Sequence, residues 1–453
     1  MKHYDAIIIG FGKAGKTLAN TLAKQGKQVA MIEKSSEMYG GTCINIACIP
    51  TKSLVYQSNE KKYSEAPKED FYRNSIEEKD DLTSLLRDKN FHMLADQDSV
   101  MVYTAKASFL DDHTVQLTSE TETLELTAEK FFINTGSLPV IPPIDGIKES
   151  NFVYTSTTLQ QLDTLPEKLV IIGGGYIGLE FASIYANFGS EVTVLDNSST
   201  FLPREDRDIA EEVKKVLEAK DINFILDSNA TSIIDQDDTV TVKYEQGDNK
   251  IDIAASALLI ATGRKPNTDG LGLENTTVEV DDKGTIIVDD YLKTTAANIW
   301  ALGDVKGGPQ FTYTSLDDFR IIRDQFVGER KYSLKDRQNI PDSVFIDPVL
   351  SHVGINEDTA KEKEIPYKAA TMKAGEVPRT RIIKQTDGLL KALINPDTKE
   401  ILGCTLFCAE SSEMINIVRL TMEAKLPYTT LRDHIFTHPS MSEALNDLFS
   451  KFD

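Results

Sequence analysis

Cysteine is scarce in this chain, four residues in 453. A secreted protein held by a disulfide framework carries far more, so the count fits a reducing compartment. Basic residues are outnumbered, 49 against 71 acidic ones, and the net charge of −22 argues against nucleic acid or an anionic membrane as partner. No apolar run approaches the length of a membrane span, and the one in MKHYDAIIIG is too short for a signal peptide. The expected location is therefore the cytoplasm. What remains is ordinary for a soluble globular protein: 40% apolar and 26% charged residues, with length for about two to four domains.

Two of the few cysteines are concentrated in one stretch, GGTCINIACIPTK at residues 40–52. Gly40 and Gly41 allow a sharp turn and close approach to a neighbouring backbone. Ile44, Ile46 and Ile49 suggest a buried segment passing from loop into helix. On a regular helix Cys43 and Cys48 would be separated by about 7.5 Å and about 500° of turn. Bonding within the roughly 7 Å Cα separation of a disulfide therefore requires a loose or distorted first turn, which the glycines and Pro50 favour. Lys52 lies four residues beyond Cys48 on the same helical face, and a nearby cation at a helix start favours the reactive thiolate. The spacing points to a redox-active pair. Two buried free thiols and half of a zinc site remain as alternatives, although C-x4-C is an uncommon zinc spacing and no second ligand pair follows. No metal site is expected.

The chain opens with a dinucleotide fingerprint. YDAIIIG reads as a buried strand, GFGKAG supplies Gly10, Gly12 and Gly15, KTLANTLAKQG reads as a helix closed by Gly26, and QVAMIEK as a strand ending in Glu33. Such glycines let a pyrophosphate reach the helix N-terminus while the acid binds ribose hydroxyls. The pattern then repeats: Gly173, Gly175 and Gly178 in LVIIGGGYIGLE are followed by Asp196. First glycine to acid is 23 residues in both copies, and each closes on a similar strand, INTG at Thr135–Gly136 and IATG at Gly263. First glycine to closing glycine spans 126 residues in the first copy and 90 in the second; the redox stretch and its helix account for the extra 36. Two nucleotide sites and one cysteine pair imply two cofactors passing electrons to a dithiol.

Between these landmarks, a polar helical region runs from Leu54 to about Asp96, broken near Ala66-Pro67. Strands are expected at VMVYTAKASF, TVQLTS, TLELTA and KFFINTG, then a proline-rich linker, LPVIPPIDG. After IATGRKPNT come two acidic strands, TVEVDD and TIIVDD, and then NIWALGDV. There Gly303 and Asp304 offer a close backbone approach and a carboxylate suited to the ribityl hydroxyls of a flavin. PQFTYTSLDDFRIIRDQF reads as a helix returning to the first domain. From about residue 342 the pattern is that of an α+β unit. Cys404 and Cys408 share one face of an expected strand roughly 13 Å apart, too far to bond, and read as core residues. In the closing IFTHPSMSEALNDLF, Glu443 follows His438 by five residues. It is placed to orient the imidazole, an acid–base device suited to a reactive thiol; a capping or core histidine is the alternative.

GGTCINIACIPTK, the two nucleotide fingerprints, ALGD and THPSMSE together resemble the class I pyridine nucleotide–disulfide oxidoreductases over nearly the whole chain. This family includes lipoamide dehydrogenase, glutathione reductase and mercuric reductase. The resemblance implies an α/β fold of two Rossmann-like dinucleotide-binding domains, for FAD and NAD(P)H, plus a C-terminal α+β dimerisation domain. The expected division is an FAD domain with the redox disulfide at 1–145 and an NAD(P)H domain at 146–268. A central domain completing the FAD site would follow at 269–340, and a dimer-interface domain at 341–453. It also implies a homodimer whose active site is shared, the terminal histidine acting on the other subunit's cysteines. By motif, Cys48 is the thiol next to the flavin and Cys43 the interchange thiol; Lys52 pairs with Glu180, and His438 is the acid–base catalyst held by Glu443. Gly41, Thr42, Thr135, Gly136, Gly263 and Arg264 complete the expected cofactor-binding set, and Asp196, with no base in Asn197-Ser198-Ser199, favours NADH over NADPH.

Within the family, GFGKAGKTL, MYGGTCINI, GGPQFTYTSLDDFR and IFTHPSMSEALNDLF look like the bacterial hypothiocyanous acid reductases and reactive-chlorine-resistance flavoproteins. Ala47 departs from the glycine those relatives place before the second cysteine. The absence of cysteine after Cys408 disfavours mercury reduction, and Phe436 stands where lipoamide dehydrogenases carry the first histidine of HAHP. The expectation is reduction of a small oxidant, hypothiocyanous acid, in oxidative-stress defence. Lipoamide dehydrogenase is the alternative enzyme, and a flavin-based redox sensor the alternative without turnover.

Overall fold

The apolar run Ala6–Ile9 has no polar side to offer water. Its strand, Lys2–Ile9, accordingly lies inside a seven-stranded sheet with these four residues buried. The structure, a computed structural model, describes residues 2–453. The chain forms two compact units, each assembled from separated stretches: Met1–Leu54, Asn74–Val140 and Gly263–Arg337 in the first, Val55–Arg73, Ile141–Thr262 and Gln338–Asp453 in the second.

In the first unit, Val100–Thr104, Val29–Glu33, Lys2–Ile9 and Thr123–Ile133 pair side by side in parallel, and the helix Lys13–Ala23 lays Ala14, Leu18, Ala19 and Ala23 into the core. The expected strands TLELTA and KFFINTG are one strand, Thr123–Ile133, which ends before Asn134. Its first half pairs antiparallel with Thr114–Thr118 and its second half parallel with Ile299–Ala301, with no glycine or proline between to break it. Conversely, VMVYTAKASF is two strands: Val100–Thr104 continues the parallel sheet, while Lys106–Asp111 turns into a meander with Thr114–Thr118. The acidic segments TVEVDD and TIIVDD are not strands; a single bridge joins Val280 to Ile286. Asp281 Oδ1 accepts from the N–H groups of Lys283 (2.9 Å) and Thr285 (2.8 Å), and Asp289 Oδ1 from those of Tyr291 and Lys293 (both 2.9 Å). Side-chain turns have taken the donors a ladder would need.

In the second unit, Ile222–Ile225, Glu191–Leu195, Lys168–Ile172, Ala257–Ile260 and Val153–Thr155 form a five-stranded parallel sheet crossed by the helix Tyr176–Phe188. The C-terminal part is a five-stranded antiparallel sheet whose buried face packs against the helices Ser411–Glu423 and Ala444–Ser450. Cys404 lies in its strand Ile401–Phe407 and Cys408 one residue past its end; burial pushes both thiols well up. The architecture is thus two Rossmann-like folds and an α+β domain. The insertion into the first copy is the helix pair Cys48–Lys61 and Lys68–Ala95, broken across Ala66-Pro67.

Candidate active site

Both fingerprints become strand–turn–helix. Gly12 and Gly175 sit at the N-caps of Lys13–Ala23 and Tyr176–Phe188 in extended conformation, with no side-chain cap, leaving the positive helix ends open to a phosphate. A Cβ on Gly178 would lie 2.0 Å from Gly173 O, and one on Gly15 2.7 Å from Gly10 O, so helix and strand approach too closely for any other residue. Gly175 differs: nothing lies within 4 Å of its missing Cβ. The acids are fixed by backbone. Glu33 Oε2 accepts from Phe11 N at 3.0 Å and Oε1 from Lys34 N at 2.8 Å, which offsets part of the upward pull of burial on its carboxyl. Asp196 Oδ2 accepts from Gly174 N at 3.1 Å and Oδ1 from Ser198 N at 3.0 Å. These residues fit two dinucleotides.

The redox stretch crosses directly over the first fingerprint turn. Gly41 has φ +80°, and a Cβ there would meet Gly12 Cα at 2.6 Å. Thr42–Asn45 makes one helical turn, Ile46 breaks it at φ −140°, and Cys48 opens the long helix Cys48–Lys61. The distorted turn expected from the sequence is a gap between two helices, with one half-buried thiol on each. The two sulfurs share a hydrogen bond that raises the Cys43 thiol and lowers that of Cys48 to about 6. Burial opposes the lowering, while the Thr312 hydroxyl, with Oγ1 3.3 Å from Cys48 Sγ, and the charge of Lys52 assist it. Reduced, the pair holds one proton, on Cys43, and Cys48 carries the thiolate.

Around this pair the first unit gathers the other expected flavin residues. Asp304 Oδ2 accepts from Ser137 Oγ at 2.8 Å, and Arg264 donates to Ser137 through Nε (2.9 Å) and Nη2 (2.7 Å). The Arg264 guanidinium, lowered mainly by burial, is supported by the charges of Asp304 and Cys48. Arg264, which follows the closing strand of the second copy, thus belongs to the first unit, as does Gly263. Thr135 Oγ1 donates to Asn267 O at 2.8 Å, and Thr42 Oγ1 is the nearest atom to the missing Cβ of Gly136. In the second unit, His438 Nδ1 lies 2.7 Å from Glu443 Oε2, the imidazole exposed and the carboxylate largely buried. Glu180, buried, accepts from Phe345 N at 2.9 Å. Among the described residues no group of three histidines, cysteines or acids is placed to hold a metal ion.

Three contributors escaped the sequence reading. Thr312, more than 260 positions from Cys48, had no local signal. Asn134 accepts from Gly15 N (2.9 Å) and donates to Leu302 O (2.8 Å), joining fingerprint, closing strand and ALGD turn. Its place just before Thr135-Gly136, inside INTG, was the one available clue. Gly303 has φ +75° and donates to Asp318 Oδ2 at 2.7 Å; Asp318 is fully buried and paired with Arg337 at 2.5 Å. Asp317, its neighbour on the helix Thr312–Val327, is buried as well, and Arg337 pairs with both acids.

The pyridine nucleotide-disulphide oxidoreductase family profile matches residues 4–318, and the profile of that family's dimerisation domain matches residues 340–449. The chain is 50% identical to a probable pyridine nucleotide-disulfide oxidoreductase, RclA, of Escherichia coli strain K12, with 99% of each chain covered. It is 31% identical to a mercuric reductase of Lysinibacillus sphaericus, covering 100% of this chain and 83% of that one. A solved structure of the HOCl-induced flavoprotein disulfide reductase RclA from Escherichia coli superposes with a TM-score of 0.94 at 49% identity, covering 99% of this chain and 100% of that one.

Proposed function

Since the chain belongs to the pyridine nucleotide–disulphide oxidoreductases, we propose that it is an NADH-dependent flavoprotein disulfide reductase. In this reading Cys43 and Cys48 reduce a small oxidant, hypothiocyanous acid. The observation that carries the reading is the polarised pair: a Cys48 thiol lowered to about 6 beside a protonated Cys43. FAD and NAD(P)H are the cofactors that family membership brings, and FAD, when bound, supplies electron transfer from the nicotinamide to the disulfide. Residues 1–145 and 269–340 are assigned to FAD, 146–268 to NADH apart from Gly263 and Arg264, which belong to the first unit, and 341–453 to the dimer interface. Lys52 and Glu180 keep the roles the family motifs give them.

The remaining chemistry belongs to the chain. Gly12 and Gly175 admit pyrophosphates, Glu33 and Asp196 take ribose hydroxyls, and Asp304 takes the ribityl chain. Thr312 and Lys52 keep negative charge on Cys48, leaving the proton on Cys43. His438 of the partner subunit, oriented by Glu443, takes that proton as Cys43 sulfur attacks the electrophilic sulfur of the oxidant, and returns it to the departing hydroxide as water. Cys48 thiolate then attacks Cys43 sulfur, expelling thiocyanate and closing the disulfide. One dithiol proton and two electrons are consumed per oxidant.

The test is NADH consumption by purified holoenzyme with hypothiocyanous acid beside lipoamide, glutathione disulfide and mercuric ion. The expected result is fastest turnover with hypothiocyanous acid. Faster turnover of lipoamide would make the protein a lipoamide dehydrogenase, and negligible turnover with every acceptor would make it a sensor. Coenzyme preference is a separate expectation. Asp196 places a carboxylate where a 2′-phosphate would sit, and the charge of Arg204 acts on Tyr176, beside the fingerprint turn. kcat/KM for NADH should exceed that for NADPH by roughly tenfold or more, and a preference for NADPH overturns this assignment.

A further inference from the structure

Lys16 follows Gly15 on the first fingerprint helix and is 6% exposed. Its Nζ donates to Gly40 O at 3.3 Å and to Asn90 Oδ1 at 2.5 Å, and Asn90 is itself held by Leu86 O at 2.6 Å. No carboxylate among the described residues is ion-paired with it. A buried ammonium without a counter-ion is costly, and two neutral oxygens do not repay its lost hydration. Among the described residues, the titratable group whose charge supports that of Lys16 is Cys43, three residues past the carbonyl it binds.

We propose that Lys16 is a positioning residue for the interchange thiol: it anchors the redox stretch through the Gly40 carbonyl and serves as the counter-cation of the Cys43 thiolate. The proposal rests on the dithiol reading and deepens it. Cys48 has the Thr312 hydroxyl, Lys52 and Arg264 to favour its negative charge, whereas Cys43 has Lys16 and the shared Thr312 hydroxyl. When His438 takes the Cys43 proton, the sulfur becomes an anion in a half-buried setting, and Lys16 is the cation already in place. Burial and the neighbouring Lys13 charge lower Lys16 to about 8, and the charge of Cys43 acts in the opposite direction. Arg87 of the helix Lys68–Ala95 is otherwise engaged: it binds Asn45 Oδ1 at 2.9 Å and pairs with Glu37.

The experiment measures the pH dependence of Cys43 alkylation by iodoacetamide in reduced holoenzyme carrying Cys48→Ser, read by peptide mass spectrometry. Cys404 and Cys408, buried in the second unit, stay silent. Lys16→Met should move the midpoint upward by about one pH unit, a tenfold loss of thiolate at lower pH. Lys16→Arg should restore it. Asn90→Asp, which gives Lys16 a counter-ion without removing it, should also move the midpoint upward, and it decides the matter if Lys16→Met does not fold. Unchanged midpoints in Lys16→Met or Asn90→Asp overturn the proposal, including the case where Lys16→Met loses flavin alone. Failure of the dithiol reading is visible separately: in the two-cysteine enzyme NADH would then not unmask Cys43 to alkylation.

Discussion

Turnover is expected to fall by roughly a thousandfold or more when either Cys43 or Cys48 becomes serine, yet the two reduced holoenzymes should differ in colour. The hydrogen bond from Cys43 and the charge of Lys52, with the Thr312 hydroxyl, stabilise thiolate on Cys48. A long-wavelength absorption arising from that thiolate should survive in Cys43→Ser, whose Cys48 has no disulfide partner, and vanish in Cys48→Ser. A thiol lowered to about 6 is anionic above that pH, so in the two-electron-reduced enzyme the band should persist at neutral pH and fade as pH drops through about 6. Thr312→Val removes one of the two donors to that sulfur and should move the fading point upward, whereas Cys43→Ser leaves a hydroxyl donor in place of the weaker thiol. Loss of the band in Cys43→Ser with retention in Cys48→Ser would reverse the roles of the two sulfurs. His438→Ala, by contrast, should slow turnover without abolishing it and should alter its pH profile.

The second large effect comes from placing the same methyl group at two glycines. Gly41→Ala meets Gly12 Cα at 2.6 Å from a residue at φ +80°, so both backbones must move. Left-handed strain and overpacking each cost of order 1–3 kcal/mol, and the variant should be purified with little flavin and a lowered Tm. Gly175→Ala has φ −74° and nothing within 4 Å of the new carbon, so the fold should keep its stability within about 0.5 kcal/mol. If a pyrophosphate occupies that space, KM for NADH should rise by roughly tenfold or more at unchanged flavin content. Equal NADH kinetics in Gly175→Ala would remove the nicotinamide nucleotide from this helix end. A fully flavinylated, stable Gly41→Ala would show that the redox stretch does not depend on its crossing of the fingerprint turn.

The contrast between these glycines shows what was legible in advance. Local rules carried the fingerprints, because strand, turn, helix and acid are contiguous and each is dictated by backbone sterics and periodicity. They also carried His438 and Glu443, five residues apart, and the boundary at Ala66-Pro67. They did not distinguish Gly41 from Gly175, since the difference lies in what another stretch of chain places beside each. Strand limits failed where one strand serves two partners, as in Thr123–Ile133, and where Asp281 and Asp289 bonded their own turns instead of a ladder. Thr312, Asn134 and the buried Asp318–Arg337 pair are long-range contributors, and no spacing rule reaches across the hundreds of positions that separate Thr312 from Cys48 or Leu302 from Asn134.

That long reach has a consequence for how the protein is made. Asn134 bonds Gly15 on one side and Leu302 on the other, the strand Ile299–Ala301 closes onto Thr123–Ile133, and the first unit draws its last stretch from Gly263–Arg337. A chain emerging N-terminus first from the ribosome therefore exposes the opening fingerprint and both reactive thiols long before the segments that enclose them exist. High-separation contacts of this kind fold slowly and leave unpaired sheet edges open meanwhile. The first unit becomes complete only after synthesis has passed residue 337, with the entire second fingerprint already translated. Cys43 and Cys48 are thus most open to oxidation while the chain is still nascent, and closure of the first unit by the released chain ends that exposure.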